Sequence, residues 1–297
     1  MLTLSSDSLR LEIIDPSKDT SLLGSRYCHG GYLWQVHDLA VGPLLTGPQW
    51  PKSTPQPFNG QGLPESFRHR TRSGTPLTWR GDRGIAVGIG ELAASSSGEI
   101  AIVNRCDWEI TSSGREMKFF TAQRTDPFHY ELQRSVQLDG RTLVSSSELT
   151  NQGQEPLVLE WFAHPFFALS DGCIQMETPA GTRMKENPGF VLSGRTFSQR
   201  RKFLNEMDGH LDFLELPTAV SHRFRLNHPK LTHVDFSFDF APSECLVWGN
   251  DATFSAEPYL SLSLSPGESR RWNLHYDFGA VSRMVSPGES ARTPDRV

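Results

Sequence analysis

Strict two-residue alternation dominates the last third of the chain. Leu260, Leu262 and Leu264 alternate with Ser261, Ser263 and Ser265, and Trp272, Leu274, Tyr276 and Phe278 alternate with Asn273, His275 and Asp277. Successive side chains of a strand point to opposite faces, so each run predicts a half-buried strand with its apolar set turned inward. Pro266-Gly267 lies between them as a turn signal, and the two runs are expected to pair as one antiparallel hairpin. Val234, Phe236, Phe238 and Phe240 repeat the pattern against Asp235, Ser237 and Asp239.

The middle of the chain predicts further hairpins. Trp108 to Ile110 and Met117 to Phe120 flank Ser113-Gly114, and Tyr130 to Leu138 and Arg141 to Leu149 flank Asp139-Gly140, a strong hairpin cue. Another turn at Asn151-Gln152-Gly153 leads into the apolar run Leu157 to Phe162. Apolar residues rarely recur at three- and four-residue spacing, so no helix of three or more turns is predicted. The expectation is an all-β chain, a large antiparallel β-sandwich spanning residues 1–280 as a single domain.

Two segments break the pattern. Residues 42–74 carry Pro43, Pro48, Pro51, Pro55, Pro57 and Pro64, which cannot donate to a ladder, so a long loop ordered by Trp50, Phe58 and Phe67 is expected. Residues 281–297 are polar, carry Pro and Gly and lack periodicity, and read as a frayed C-terminal tail.

Composition supports the sandwich and narrows its partners. Hydrophobic residues form 37% of the 297, with 18 Phe and 7 Trp, enough to fill two packed sheet faces. The formal charge is −5 and the basic residues are scattered, which argues against nucleic acid as a partner. The first residues lack a basic region followed by an apolar core, and no apolar run reaches membrane length, so a soluble, cytoplasmic protein with no membrane partner is expected. Cys28, Cys106, Cys173 and Cys245 show no CxxC spacing and read as free thiols. The expected assembly is a monomer or homodimer.

Candidate chemistry centres on two places. Glu160 to Leu169 sets His164 among bulky apolar neighbours just after a predicted strand, a setting that by itself describes a structural histidine. Downstream, Thr253 to Pro258 places Glu257 ahead of the serine-leucine run, where alone it reads as a solvated carboxylate. Gly88-Ile89-Gly90 lacks the third glycine of a phosphate loop, and neither HExxH nor Gly-x-Ser-x-Gly occurs. The histidines show no metal-ligand spacing, so no metal is expected.

The order of these elements resembles one family. A hairpin, an Asn-x-Gly turn, an apolar strand and then His-x-[Tyr/Phe]-Phe-x-Leu is similar to the general-acid segment of galactose mutarotase-like proteins, the superfamily of aldose 1-epimerases and glucose-6-phosphate 1-epimerase-like proteins. Here Pro165 follows the histidine, and Ala168 stands where aldose epimerases commonly carry Asn. Glu257-Pro258 before a strand that ends in a Pro-Gly-Glu turn resembles the general-base segment. The resemblance implies the galactose mutarotase-like supersandwich and an isomerase of the aldose 1-epimerase type, needing no metal and no organic cofactor. Glu257 would take the proton of the anomeric hydroxyl, and His164 would protonate the ring oxygen.

It further implies substrate-binding positions. Phe58 to Glu65 is similar to the loop beside the sugar groove, with Gln61, Glu65 and then His69 where aldose epimerases place a binding histidine. Asp208 or Asp212 stands where the family has an aspartate that binds sugar hydroxyls. Arg68, His69, Arg70 and Arg72 form a basic run that reads first as a solvated face. Turned into the groove, its forked donors would suit phosphate or sulfonate, so the expected ligand is a monosaccharide or a sugar phosphate. The alternatives are a non-catalytic carbohydrate-binding protein on the same sandwich and a lyase or hydrolase, the latter disfavoured because no helical domain accompanies the sandwich. His164 and Glu257 facing a single groove would separate the enzymes from the binding protein.

Overall fold

The computed structural model describes residues 1–282; residues 283–297, most of the expected tail, lie outside the described residues. Val281 still belongs to the body, bridging to Leu231, and the Ser282 amide donates to the Lys230 carbonyl at 3.0 Å. The alternating runs form strands, and the only helical element among the described residues is a single 3-10 turn at Thr20–Leu22. Among the described residues no helix is long and apolar enough to cross a membrane.

The strands form a ten-stranded sheet, a six-stranded sheet and two four-stranded sheets, all paired antiparallel. The expected hairpins are present in the ten-stranded sheet: Glu109–Ser113 with Glu116–Thr125, and Phe128–Asp139 with Thr142–Asn151. The six-stranded sheet runs Arg183–Met184, His210–Glu215, Glu244–Gly249, Phe254–Leu264, Leu157–Ala163 and Glu65–Arg68.

Pro266-Gly267 does not close a hairpin, contrary to the sequence expectation. Phe254–Leu264 lies in the six-stranded sheet, whereas Ser269–Phe278 lies in the ten-stranded sheet between Thr142–Asn151 and Val234–Phe238. Alternation fixes which face of a strand is buried but not which strand lies beside it. Here the two apolar faces meet across the core. Asn151-Gln152-Gly153 makes the same crossing in reverse.

Buried Asn151 ties the two crossings together. Its Nδ2 donates to the carbonyls of Leu264 and Glu155, both at 2.8 Å, its amide donates to the Glu268 carbonyl at 3.0 Å, and its carbonyl accepts from Gly267 at 2.8 Å. The proline-rich stretch 42–74 is irregular over most of its length, but it opens with the two-residue strand Gly42–Pro43 and contains the strand Glu65–Arg68. Pro64 is the last proline before that strand, so amide donors are continuous from Glu65 to Arg68, which pair with Ala163 to Glu160.

The core between the two large sheets is aromatic at its centre. Trp161 meets Trp272 edge to face with ring centroids 5.3 Å apart, and Phe240 and Phe67 pack on this pair at 5.6 and 6.0 Å. Embedded in it is an ion pair between Glu65, 3% exposed, and Arg134, 1% exposed. Arg134 also donates to Gly30 O at 2.8 Å and to the Ser147 and Ser145 hydroxyls, each at 3.1 Å. Glu65 in turn accepts from Ser145 at 2.7 Å and Trp161 Nε1 at 3.2 Å.

This placement corrects the sequence expectation for Glu65. Residues on a strand alternate faces, so with Ser66 and Arg68 turned to the groove side, Glu65 and Phe67 turn into the core. Removing the carboxylate leaves Arg134 buried and unpaired, a change that costs about 3–5 kcal/mol. Glu65→Ala is expected to lower the urea midpoint by that equivalent with an unchanged m-value, as measured by equilibrium unfolding.

Candidate active site

The site is built on the face of the six-stranded sheet that points away from the core. In Phe254–Leu264 the residues Ala256, Leu260, Leu262 and Leu264 join the core, which turns Ser255, Glu257, Tyr259, Ser261 and Ser263 the other way. Ser261 and Ser263 are exposed, yet Ser255, Glu257 and Tyr259 are buried. The segment carrying Arg26 and Tyr27 and the loop carrying Phe58 rise over this end and leave a groove of about 700 Å³.

Strand register sets the floor of the groove. Trp248 lies opposite Ser255 and Leu246 opposite Glu257 on one neighbouring strand. On the other side Phe162 lies opposite Tyr259, with the two rings stacked at 4.6 Å, and Ser66 lies beyond Phe162. His164 is the first residue after Leu157–Ala163, its amide anchored on the Pro64 carbonyl at 2.9 Å. Glu257, expected at a strand end, is instead the fourth residue of an eleven-residue strand.

The register brings His164 and Glu257 together. Nε2 of His164 lies 3.3 Å from Glu257 Oε1, and its Nδ1 lies 3.0 Å from the Ser255 hydroxyl. With Nδ1–H donated to Ser255, Nε2 is left to exchange a proton with the carboxylate. Phe166 packs on the imidazole at 4.4 Å, and Tyr27 and Trp248 meet it edge on at 6.0 and 6.1 Å.

Burial governs the electrostatics. It pushes the Glu257 carboxyl up to about 7, against the pull of the Arg26 charge, of hydrogen bonding from Ser255, of the Arg72 charge and of hydrogen bonding from Tyr259. Burial also holds His164 well below the ordinary imidazole range, and Arg26 adds to that effect. Together the two side chains form a pair that holds one proton and carries no net charge, and that loses this proton near neutral pH.

The basic run does turn into the groove. Arg68, His69, Arg70 and Arg72 all line it. Two of them are engaged: Arg68 reaches Glu160 at 3.4 Å, and Arg72 meets Glu244 at 2.6 Å while lying over the Phe213 and Tyr259 rings. Arg70 stacks on Trp79 at 4.6 Å, and its buried Nε has no hydrogen-bond partner. His69 Nδ1 accepts from Trp79 Nε1 at 3.0 Å, and burial, aided by Arg70 and Arg68, holds the ring down to about 4, hence neutral at pH 7.

Three other expected binding residues stand apart from the groove. Gln61 is buried, its Nε2 reaching the Trp34 carbonyl at 3.4 Å and its amide donating to the Tyr32 hydroxyl at 3.1 Å. Glu65 is committed to the core. Asp208 is clamped by Arg201 through two contacts of 2.6 Å and caps the Leu204 amide, although its neighbours Glu206 and Met207 line the groove. The groove also contains Arg26, Trp248, and Tyr259, with Ser255 against the imidazole, none of which the sequence singled out. Ser255 was within reach, since it shares the two-residue phase of Glu257. Among the described residues one trio of possible metal ligands occurs, His233, Asp235 and Asp277; its Asp235 is already held by Arg223 and by Arg225 at 2.8 Å.

No protein-family model matches the chain, and no curated protein matches it in sequence. Its fold is that of galactose mutarotase-like proteins. A galactose mutarotase-like protein from Lactobacillus casei superposes with a TM-score of 0.61 at 15% identity, covering 93% of this chain and 99% of the other. A galactose mutarotase related enzyme from Lactobacillus acidophilus gives 0.59 at 13% identity, covering 95% and 98%. A galactose mutarotase-like protein from Clostridium acetobutylicum gives 0.54 at 11% identity, covering 95% of each chain.

The raised carboxyl has a signature in stability. A carboxyl whose folded pKa, about 7, exceeds its ordinary 4.5 keeps its proton longer when folded, so the native state loses stability as pH rises from 4.5 to 7. The loss approaches about 3 kcal/mol and then levels off. Glu257→Gln removes it. The melting temperature of the variant minus that of the wild type is expected to climb across that window and stay flat above it, as read by calorimetry.

Proposed function

We propose that this chain is an aldose 1-epimerase, an isomerase that interconverts the anomers of a sugar by general acid and base catalysis. One observation carries the reading: a proton donor and a proton acceptor, His164 Nε2 and Glu257 Oε1, stand 3.3 Å apart in one groove. The anomeric hydroxyl and the ring oxygen sit on the same carbon, so opening the ring calls for two proton-transfer groups side by side.

Glu257 takes the proton of the anomeric hydroxyl while His164 gives one to the ring oxygen. The bond from the anomeric carbon to the ring oxygen breaks, a carbonyl forms and turns over, and reversal of both transfers closes the ring as the other anomer. The pair ends with the proton count it began with. Because burial favours uncharged partners, that single proton also resides on Glu257, and the transfers then run in mirrored order from the same state of protonation. These steps call for neither a metal nor an organic cofactor.

The basic side of the groove extends the proposal to an anionic aldose such as a sugar phosphate. Arg70, which lines the groove while stacked on Trp79, and neutral His69 offer donors in the same groove as the acid–base pair. The unpaired thiols of Cys28, Cys106, Cys173 and Cys245 suit a reducing compartment, and we place the enzyme in the cytoplasm as a monomer or homodimer.

Exchange NMR on a panel of free and phosphorylated aldoses tests the reading. Glu257→Gln and His164→Asn are each expected to lower anomer exchange by about 10²- to 10⁴-fold while sugar binding persists. Wild-type binding with no rate enhancement for any sugar would instead identify a carbohydrate-binding protein. Losing the shared proton leaves no acid, so kcat/KM is expected to fall as pH rises through about 7. Arg70→Ala is expected to raise KM for an aldose phosphate by roughly 10-fold with little change for the neutral sugar.

A further inference from the structure

Arg26 lies in the same groove, on a segment that none of the sequence motifs touches. Its guanidinium sits 4.7 Å from the Phe58 ring centre and 5.0 Å from that of Tyr27, whose edge meets the His164 imidazole at 6.0 Å. Nη1 donates to the Phe58 carbonyl at 3.0 Å, and the Arg26 carbonyl accepts from the Ser66 hydroxyl at 2.7 Å, so both ends of the residue are anchored. Among the described residues no carboxylate lies within 4.0 Å of it.

A half-buried guanidinium without an anionic partner is uncommon, and the groove holds only one other carboxylate besides Glu257. That carboxylate, Glu206, is engaged by Gln49 at 3.0 Å and Asn59 at 3.3 Å. We propose that Arg26 is a positioning residue that acts through Glu257, setting how tightly the His164–Glu257 pair holds its shared proton. The inference rests on the acid–base reading of that pair.

The surroundings of Glu257 single out Arg26 as the cation responsible. Tyr27 and Tyr259 lie near the carboxylate and Cys245 lies on the core side of the neighbouring strand, and burial keeps all three protonated. Arg72 pulls on it in the same direction, more weakly than Arg26, and is already paired with Glu244. That leaves His164 itself and Arg26, whose charge opposes burial at Glu257 and reinforces burial at His164. On both partners the effect has the same sign: the positive charge loosens the shared proton. A proton held too tightly in a dry groove would not leave at neutral pH, and transfer is fastest when donor and acceptor titrate near working pH.

The test uses the full chain and reads the carboxyl directly. Infrared difference spectra across pH report protonation of Glu257, with Glu257→Gln identifying its band. Arg26→Met and Arg26→Gln are both expected to raise the midpoint by about one pH unit, and Arg26→Lys to restore it to within a few tenths. The alkaline limb of kcat/KM should move by the same amount. An unchanged midpoint in the folded neutral variants overturns the proposal, as does an effect confined to KM for a sugar phosphate, which would make Arg26 a substrate clamp. If the midpoint moves while the wild type speeds no anomer exchange, Arg26 has the proposed role and the epimerase reading is the one that fails.

Discussion

The Glu65–Arg134 ion pair is the constraint on which the rest depends. It joins the edge strand of the six-stranded sheet to the third strand of the ten-stranded sheet, where Trp161, Trp272 and Phe67 pack. Both charged groups are hydrogen-bonded by their neighbours, Ser145, Ser147, Trp161 and the Gly30 carbonyl, which is what makes a buried charge pair tolerable. Its larger effect is orientation. A strand cannot turn one side chain inward without turning the next outward, so fixing Glu65 in the core commits Ser66 and Arg68 to the groove.

A second tension runs through the groove itself. His164 and Glu257 are both pushed by burial toward their uncharged forms, a cost that a purely structural sheet face would avoid by carrying serine or threonine, as Ser261 and Ser263 do farther along the same strand. The two side chains offset part of that cost against each other across 3.3 Å. Arg26 and the aromatic shell of Phe166, Tyr27 and Trp248 then define how much of it remains.

Much of the fold was legible in the sequence because alternation reports directly on which strand face is buried. Pairing was legible only where a short turn forced it, as at Asp139-Gly140; Pro266-Gly267 looked the same and instead joins two sheets. His164 and Glu257 were legible through the order of their motifs, and the basic run through its charge. Glu65 and Gln61 were misplaced because nearness in sequence to a site loop says nothing about which way a side chain turns. Asp208 is close to the groove but spent on Arg201. Arg26 left no trace, since only tertiary packing carries it from the N-terminal region to the groove of His164 and Glu257.

Asn151 has a mechanical consequence. The turn that enters the strand leading to His164 and the end of the strand that carries Glu257 are both gripped by this one amide, at Glu155 and at Leu264, so sliding one past the other breaks the same clamp. The gap between His164 and Glu257 is therefore geared to a fixed point at the far end of both strands, away from the loops that wall the groove. Phe58, Arg70 and the segment around Met207 sit on those loops. Walls of this kind can be exchanged or lengthened, reshaping the groove, without disturbing the spacing of His164 and Glu257.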